Sequence, residues 1–179
     1  MNILFVCDWD YSLLWPKIAK RLNAKKNINK SYALIVGKLY YDELIKQNNS
    51  FEKIYLLQEF IQKVPKNIVD IDKRLHFIEK QFSEESLWKL VWADRSWVHS
   101  NHEEIKKRII VCFDFFNRLL DNSDPDLIVT NAYGSMPHIM LYEVAKKRNI
   151  KIIRPMTTRI LDIYFWSEDA LENEKWIIK

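Results

Sequence analysis

The sequence predicts a single α/β domain built on a mostly parallel β-sheet, and three observations support this. Short apolar runs alternate along the chain with segments whose apolar residues recur every three or four positions. The chain has 179 residues, which suits one domain with a proper hydrophobic core. Hydrophobic residues make up 48% of it and charged residues 29%, as is typical of globular proteins. We therefore expect one domain over residues 1–179, with a helical insertion in its middle.

The first third of the chain alternates predicted strands and helices. Residues 2–7 form a continuous apolar run at the N-terminus, which is typical of a strand buried on both faces. A helix follows through Leu22, with Pro16 expected in its first turn, where its missing N–H costs nothing. Two further strands are expected at 32–36 and 53–57, around a short helix at 39–47. This alternation predicts parallel strands joined by right-handed crossovers.

The middle of the chain is predicted to be helical, and strands return after it. Apolar residues between Ile68 and Phe82 share one helix face, and Ser83 is expected to cap a second helix that runs through Trp92. Ser100 and Glu103 fit a capping box at the start of a long third helix. A strand at 126–130, a helix at 136–147 and a strand at 151–153 then form a compact unit. A final helix is expected to begin at Ser167.

Composition excludes several classes of function. Gly37 and Gly134 are the only glycines, whereas dinucleotide-binding and P-loop turns need several glycines close together. No NAD or P-loop chemistry, and no cofactor, is therefore expected. The net charge of +4 comes from dispersed lysines, which argues against nucleic acid as a partner. A mildly basic surface suits phosphate-bearing substrates or an anionic membrane face.

Cysteine usage and hydropathy bear on the compartment. Cys7 and Cys112 lie in apolar stretches, which predicts two buried thiols in a reducing cytoplasm. No apolar run approaches the roughly 20 residues that span a bilayer. No histidine, cysteine and carboxylate cluster has metal-ligand spacing, so no metal site is expected. We expect a cytoplasmic protein and leave a peripheral membrane contact open.

The candidate functional residues follow the predicted strands. In open α/β sheets, ligands bind beyond the carboxyl ends of the strands, near helix N-termini with unpaired amides. This rule selects one loop after the first strand, one after the fourth and one after the fifth. The candidate general bases are Asp8, Asp10 and His138, and the candidate substrate-binding residues in these loops are Trp9, Asn131, Tyr133, Gly134, Ser135, Arg154 and Arg159.

Each candidate has a functional and a structural interpretation. His138 at a helix start suits a general base, because imidazole titrates near neutral pH, but it also suits a hydrogen-bonded structural residue. Ser135 is placed to cap the same helix, and Gly134 suits a tight turn or a close approach of backbone to ligand. The aspartates equally suit turn chemistry. The arginines suit binding of a phosphate or a carboxylate, and they equally suit solvated charges on the surface.

A second concentration of candidates lies in the helical middle. Asp94 and Arg95 are charged residues among Trp88, Trp92 and Trp97, and we include the charged pair among the substrate-binding candidates. Tryptophans at this spacing are typical of core packing. An exposed aromatic face would instead suit sugar stacking or a partner domain.

Several stretches together resemble bacterial capsule and surface-polysaccharide biosynthesis proteins. They are the block from Phe82 to Arg95 with Leu87-Trp88 and Ala93-Asp94-Arg95, the strand Asp126-Leu127-Ile128-Val129-Thr130 with its loop, Arg154-Pro155 with Thr158-Arg159, and Ser167-Glu168-Asp169. Their order along most of the chain carries the resemblance. It implies a GT-B glycosyltransferase, in which two Rossmann-like, three-layer α/β/α domains face each other across a cleft.

The resemblance also implies partners and roles. The N-terminal domain of such an enzyme receives a carbohydrate or lipid-linked acceptor, and a C-terminal domain holds the nucleotide sugar. We expect residues 1–179 to be the acceptor-side half, with the missing C-terminal domain as partner and no transfer activity alone. Two alternatives stay open: a non-catalytic α/β module that binds a sugar, nucleotide or partner, and half of a sugar-nucleotide epimerase.

Overall fold

A computed structural model describes residues 1–8, 11–47, 50–63, 68–82, 86–92, 94, 97, 100–131, 134–157 and 164–168. Its strands are β1 (Asn2–Val6), β2 (Lys30–Ile35), β3 (Lys53–Leu56), β4 (Leu127–Val129), β5 (Lys151–Thr157) and β6 (Tyr164–Ser167). Its helices are α1 (Tyr11–Ala24), α2 (Lys38–Gln47), α3 (Leu57–Gln62), α4 (Ile71–Gln81), α5 (Trp88–Trp92), α6 (His102–Ser123) and α7 (Met136–Lys147). The predicted α/β class and the helical middle are confirmed.

The strands form one mostly parallel sheet in the order β3-β2-β1-β4-β5-β6. The pairs β1–β2, β1–β4, β2–β3 and β4–β5 are parallel, and β5–β6 is antiparallel. From β1 the chain moves outward to β2 and β3, returns through the helical middle to β4, and then builds β5 on the other side. The order of strands therefore reverses between β1 and β4.

Alternate residues of the central strands enter two different hydrophobic clusters. In β1, Leu4 and Val6 pack with residues of α4, α6 and α7, whereas Ile3 and Phe5 pack with residues of α1 and α2. Since successive strand side chains point to opposite faces, each face of the sheet has its own core. This is why the central strands are apolar throughout and lack a polar–apolar alternation.

Several local predictions were wrong at helix starts. Helix α1 begins at Tyr11, so Pro16 lies in its second turn and not in the first. Helix α6 is capped by Asn101 and not by Ser100, because the Asn101 side-chain oxygen accepts the Glu103 amide at 2.9 Å. The short helix α3, which follows β3 directly, was missed.

The C-terminal prediction was wrong in a way that matters for the site. Strand β5 continues to Thr157 because β6 pairs with its second half, Arg154 opposite Ser167. Arg154 therefore lies inside a strand and not in a loop, and its side chain is buried. Ser167 ends a strand and does not begin a helix. Residues 169–179 lie outside the described part of the chain.

Candidate functional site

Two loops meet where the strand order reverses. Asp8 follows β1 after a single residue, and Asn131 follows β4 at the same distance. Because β1 and β4 are parallel neighbours, both residues lie at the carboxyl edge of the sheet. The Asn131 side-chain amide donates to the main-chain oxygen of Asp8 over 3.4 Å. This is the position at which open α/β sheets form ligand-binding crevices.

The side chains of Asp8, His138 and Ser135 form a continuous hydrogen-bonded chain, which we call the relay. His138 Nε2 lies 2.9 Å from Asp8 Oδ2, and His138 Nδ1 lies 2.5 Å from Ser135 Oγ. Asp8 and His138 are buried, with 2% and 7% of their surface exposed, whereas Ser135 is half-buried. The relay therefore connects a buried carboxylate to a residue that is only half-buried.

The partners of Asp8 determine which imidazole nitrogen carries the proton. An ionised carboxylate can only accept hydrogen bonds, so His138 Nε2 donates to Asp8 Oδ2. The other carboxylate oxygen accepts the Val36 amide, 3.0 Å away at the end of β2. In the neutral imidazole Nδ1 then lacks a proton and accepts from the Ser135 hydroxyl. The basic nitrogen of His138 thus faces the half-buried serine.

The start of helix α7 brings the side chains of His138 and Ser135 together. Ser135 is the N-cap residue and His138 lies in the first turn, three residues on, so both side chains project near the helix start. Pro137 lies in the first turn, where its missing N–H costs no helix hydrogen bond. The predicted capping bond is absent, because the Ser135 side chain makes no hydrogen bond to a helix amide.

Asp94 contributes from the helical middle of the chain. Its buried carboxylate accepts the Met136 amide, the first of helix α7, at 3.1 Å. A negative charge at a helix N-terminus stabilises the helix by about 0.3–1 kcal/mol. Asp94 thus fixes the helix that carries His138, a positioning role that the sequence did not reveal. Its predicted contact with substrate stays a prediction.

Two buried side-chain oxygen atoms, on residues close in sequence to Asp8 and Ser135, accept no hydrogen bond from the residues that the structure describes. They are Ser12 Oγ in the first turn of α1 and Asn131 Oδ1. Both are close in sequence to residues outside the described part of the chain, 9–10 and 132–133. Buried polar oxygens normally have a partner, so these two suit the donors of a polar ligand. Ser12 was missed as a candidate because it is an isolated hydroxyl inside a helix.

The remaining sequence candidates divide into two groups. Five candidates lie outside the described residues: Trp9, Asp10, Tyr133, Arg95 and Arg159. Gly134 has no positive φ, and a Cβ built on it meets no atom within 4 Å, so its backbone does not require glycine. Arg154 lies one residue beyond Ile153, the partner of Val129 in β4, near the same edge of the sheet.

The tryptophans of the middle segment do not form one exposed face. Trp97 is buried, Trp88 stacks on His102 with ring centroids 4.6 Å apart, and Trp92 is 82% exposed. Trp166 in β6 is 55% exposed. The core-packing interpretation therefore holds for Trp97.

Both cysteines are buried, as predicted. Burial, and secondarily the neighbouring Asp8 carboxylate, raise the pKa of the Cys7 thiol well above its usual range. Burial raises the pKa of Cys112 to about 12. The reactive species of a cysteine is its thiolate, so neither thiol is a nucleophile near neutral pH.

Comparison of the sequence with models of known protein families, and with curated proteins, gives no match. Among the described residues, no three histidine, cysteine or carboxylate side chains gather into a group that could hold a metal ion. Within the same part of the chain, every helix is too short or too polar to cross a bilayer.

Proposed function

We propose that this chain is the N-terminal, acceptor-side domain of a GT-B glycosyltransferase in bacterial surface polysaccharide biosynthesis. The enzyme would transfer a sugar from a nucleotide sugar to a carbohydrate or lipid-linked acceptor. The proposal includes a Rossmann-like, three-layer arrangement, which the strand order and the separate cores on the two sheet faces support. The observation that carries it is the buried relay at the point where the strand order reverses.

The relay suits the acid–base step of sugar transfer. An acceptor hydroxyl must lose its proton as its oxygen attacks the anomeric carbon of the donor. His138 Nδ1 accepts that proton, and Asp8 holds the ring and stabilises the imidazolium that forms. Because His138 is buried behind Ser135, the proton passes through the serine hydroxyl. The leaving diphosphate would be stabilised by the domain that holds the donor.

Acceptor-dependent turnover tests this function. The complete gene product that carries this domain is incubated with a radiolabelled nucleotide sugar, with and without a lipid-linked oligosaccharide acceptor. We expect label in the acceptor fraction and little change in the donor when acceptor is left out. Conversion of the donor without acceptor would mark an epimerase and contradict the proposal. Binding of either molecule without turnover would mark a non-catalytic binding module and contradict it as well.

The exposed face of α1 supports an acceptor at a membrane surface. Leu13 and Leu14 are 38% and 43% exposed, and Lys17, Lys20 and Arg21 are exposed further along the same helix. The helix has no acidic residue. Exposed apolar side chains beside cations are typical of helices that rest on anionic lipid surfaces. Since α1 starts three residues after Asp8, its leucines lie at the end nearest the relay.

Vesicle binding tests the membrane contact. We expect the protein to bind vesicles that contain phosphatidylglycerol and not vesicles of phosphatidylcholine alone. Changing Lys17, Lys20 and Arg21 together to glutamine should weaken binding by about 100-fold, because each cation near an anionic surface contributes about 1 kcal/mol. The matched control changes the exposed Lys63, Lys73 and Lys80, which belong to the α3–α4 region, to glutamine. Equal loss in both triple variants would show general charge attraction and contradict a contact through α1.

A further inference from the structure

The Ser135 hydroxyl has a partner that is unusual for its position in the fold. A serine at a helix N-cap normally accepts a hydrogen bond from an amide of the first turn. Ser135 is the N-cap of α7 and makes no such bond. Its oxygen instead lies 2.5 Å from His138 Nδ1, the nitrogen that faces away from Asp8. The hydroxyl is thus placed to give its proton to a base.

The start of the helix does not depend on this hydroxyl. The amide of Met136, the first residue of the helix, donates to the carboxylate of Asp94. Asp94 is 42 residues away in the sequence and belongs to another part of the fold. Helix capping therefore does not account for the orientation of the Ser135 side chain.

We infer that Ser135 is an activated nucleophile that takes up the acyl group of an ester. A hydroxyl, an imidazole and a carboxylate in a continuous chain are the groups that activate serine for acyl transfer on several unrelated folds. Here the ring is turned, so that the carboxylate contacts Nε2 and the serine contacts Nδ1. The roles are unchanged, because the carboxylate fixes the tautomer and the opposite nitrogen is basic.

The position of Ser135 suits the charge that develops in such a reaction. It lies at the N-terminus of α7, a helix of 12 residues, whose dipole favours negative charge at that end. It is half-buried, whereas Asp8 and His138 behind it are buried. Ser135 is thus the most exposed residue of the relay.

The reaction balances without a further reactant. The Ser135 hydroxyl proton moves to His138 Nδ1 as Oγ forms a bond to the carbonyl carbon of the ester. The bond from that carbon to the leaving alkoxide breaks, and the alkoxide takes the proton from Nδ1. Water then attacks the acyl-serine by the same route, which releases a carboxylic acid and restores the hydroxyl. His138 and Asp8 return to their starting protonation states.

This activity goes beyond sugar transfer and uses the relay in a different way. In the proposed transferase the serine only passes a proton, whereas here its oxygen forms a covalent bond. An acylation experiment requires neither a sugar donor nor an acceptor. Failure of acylation would therefore not contradict the proposed transferase function. Failure of sugar transfer would likewise not contradict acylation of Ser135.

Labelling with a fluorophosphonate probe tests the inference. The chain is incubated with the probe, and the adduct is located by mass spectrometry of peptides. We expect one adduct on Ser135, formed with loss of fluoride, and no adduct at that peptide in Ser135→Ala. Asp8→Asn should slow labelling by at least ~100-fold, because it removes the acceptor that fixes the imidazole tautomer. Ser123→Ala serves as the control, since Ser123 is a buried serine that donates to the Leu119 carbonyl far from the relay.

Circular dichroism shows whether each variant is folded, so that a loss of labelling is not mistaken for a loss of structure. Ser135→Ala and Asp8→Asn are compared with the parent chain at a temperature at which all three are folded. Labelling of folded Ser135→Ala at the parent rate, or labelling of the parent no faster than after denaturation, would overturn the inference. An adduct on Ser135 that forms equally fast in Asp8→Asn would overturn the role of the relay.

Discussion

Replacing His138 by alanine is expected to lower the rate of acceptor-dependent transfer by at least ~100-fold, with the KM for acceptor little changed. General-base catalysis contributes ~100-fold to ~10,000-fold to a proton-transfer step, and His138 carries the basic nitrogen of the relay. The side chain is buried behind Ser135 and need not contact the acceptor. A fall in kcat at constant KM therefore separates loss of the base from loss of binding. Steady-state kinetics of the complete gene product measure both constants.

Two variants control for effects on folding and charge. His76→Ala removes an exposed histidine from α4 and should leave the rate unchanged. His138→Gln keeps a polar side chain at the site and should lose activity as His138→Ala does, since an amide is not a base. A His138→Ala protein that is folded and keeps more than about a tenth of the parent rate would remove His138 from the mechanism.

Replacing Asp8 by alanine is expected to lower the free energy of unfolding by about 3 kcal/mol. The change leaves two donors without their acceptor, the Val36 amide and His138 Nε2–H. A buried or partly buried donor that loses its partner costs about 1–3 kcal/mol. For a domain of this size the loss corresponds to a fall in Tm of about 10 °C. Urea unfolding, followed by tryptophan fluorescence, measures the free energy directly.

Asp8→Asn is the matched control for stability. It keeps a side-chain oxygen for the Val36 amide and nearly the same volume, so we expect it to lose no more than about 1 kcal/mol. The two variants should thus differ in stability while both impair the relay. Equal stability of Asp8→Ala and the parent would show that the carboxylate is not the buried acceptor that the structure describes.

Local patterns predicted much of the fold because the elements carry their own signals. Helix α7 was predicted with its observed bounds, since Pro137 marks a first turn and an apolar stripe follows it. Strand β1 was recognised as central because its residues are apolar on both faces. The double core explains this pattern, since residues of β1 enter both clusters.

Long-range pairing explains what could not be predicted. The extension of β5 to Thr157 depends on β6, and no local signal marks a strand that begins at Tyr164. For the same reason Arg154 was placed in a loop, although it lies in a strand. The capping of α7 by Asp94 joins residues 42 apart and has no counterpart in the local sequence.

The candidate site could be predicted from the sequence only in part. The rule that ligands bind beyond the carboxyl ends of strands selected Asp8, Ser135 and His138. Their order in a hydrogen-bonded chain required the structure, because Asp8 and His138 are 130 residues apart. One signal was available in the sequence: Ser135 and His138 are three residues apart at a helix start, a spacing that brings two side chains together.

The protonation of the His138 ring is the most direct test of the relay. Long-range proton–nitrogen correlation spectra of the protein, labelled with ¹⁵N-histidine, distinguish the two tautomers of a neutral imidazole. Near neutral pH, we predict a single tautomer with the proton on Nε2, and loss of this preference in Asp8→Asn. A ring that carries its proton on Nδ1, or that exchanges between the tautomers as free histidine does, would contradict the relay as a base held by Asp8.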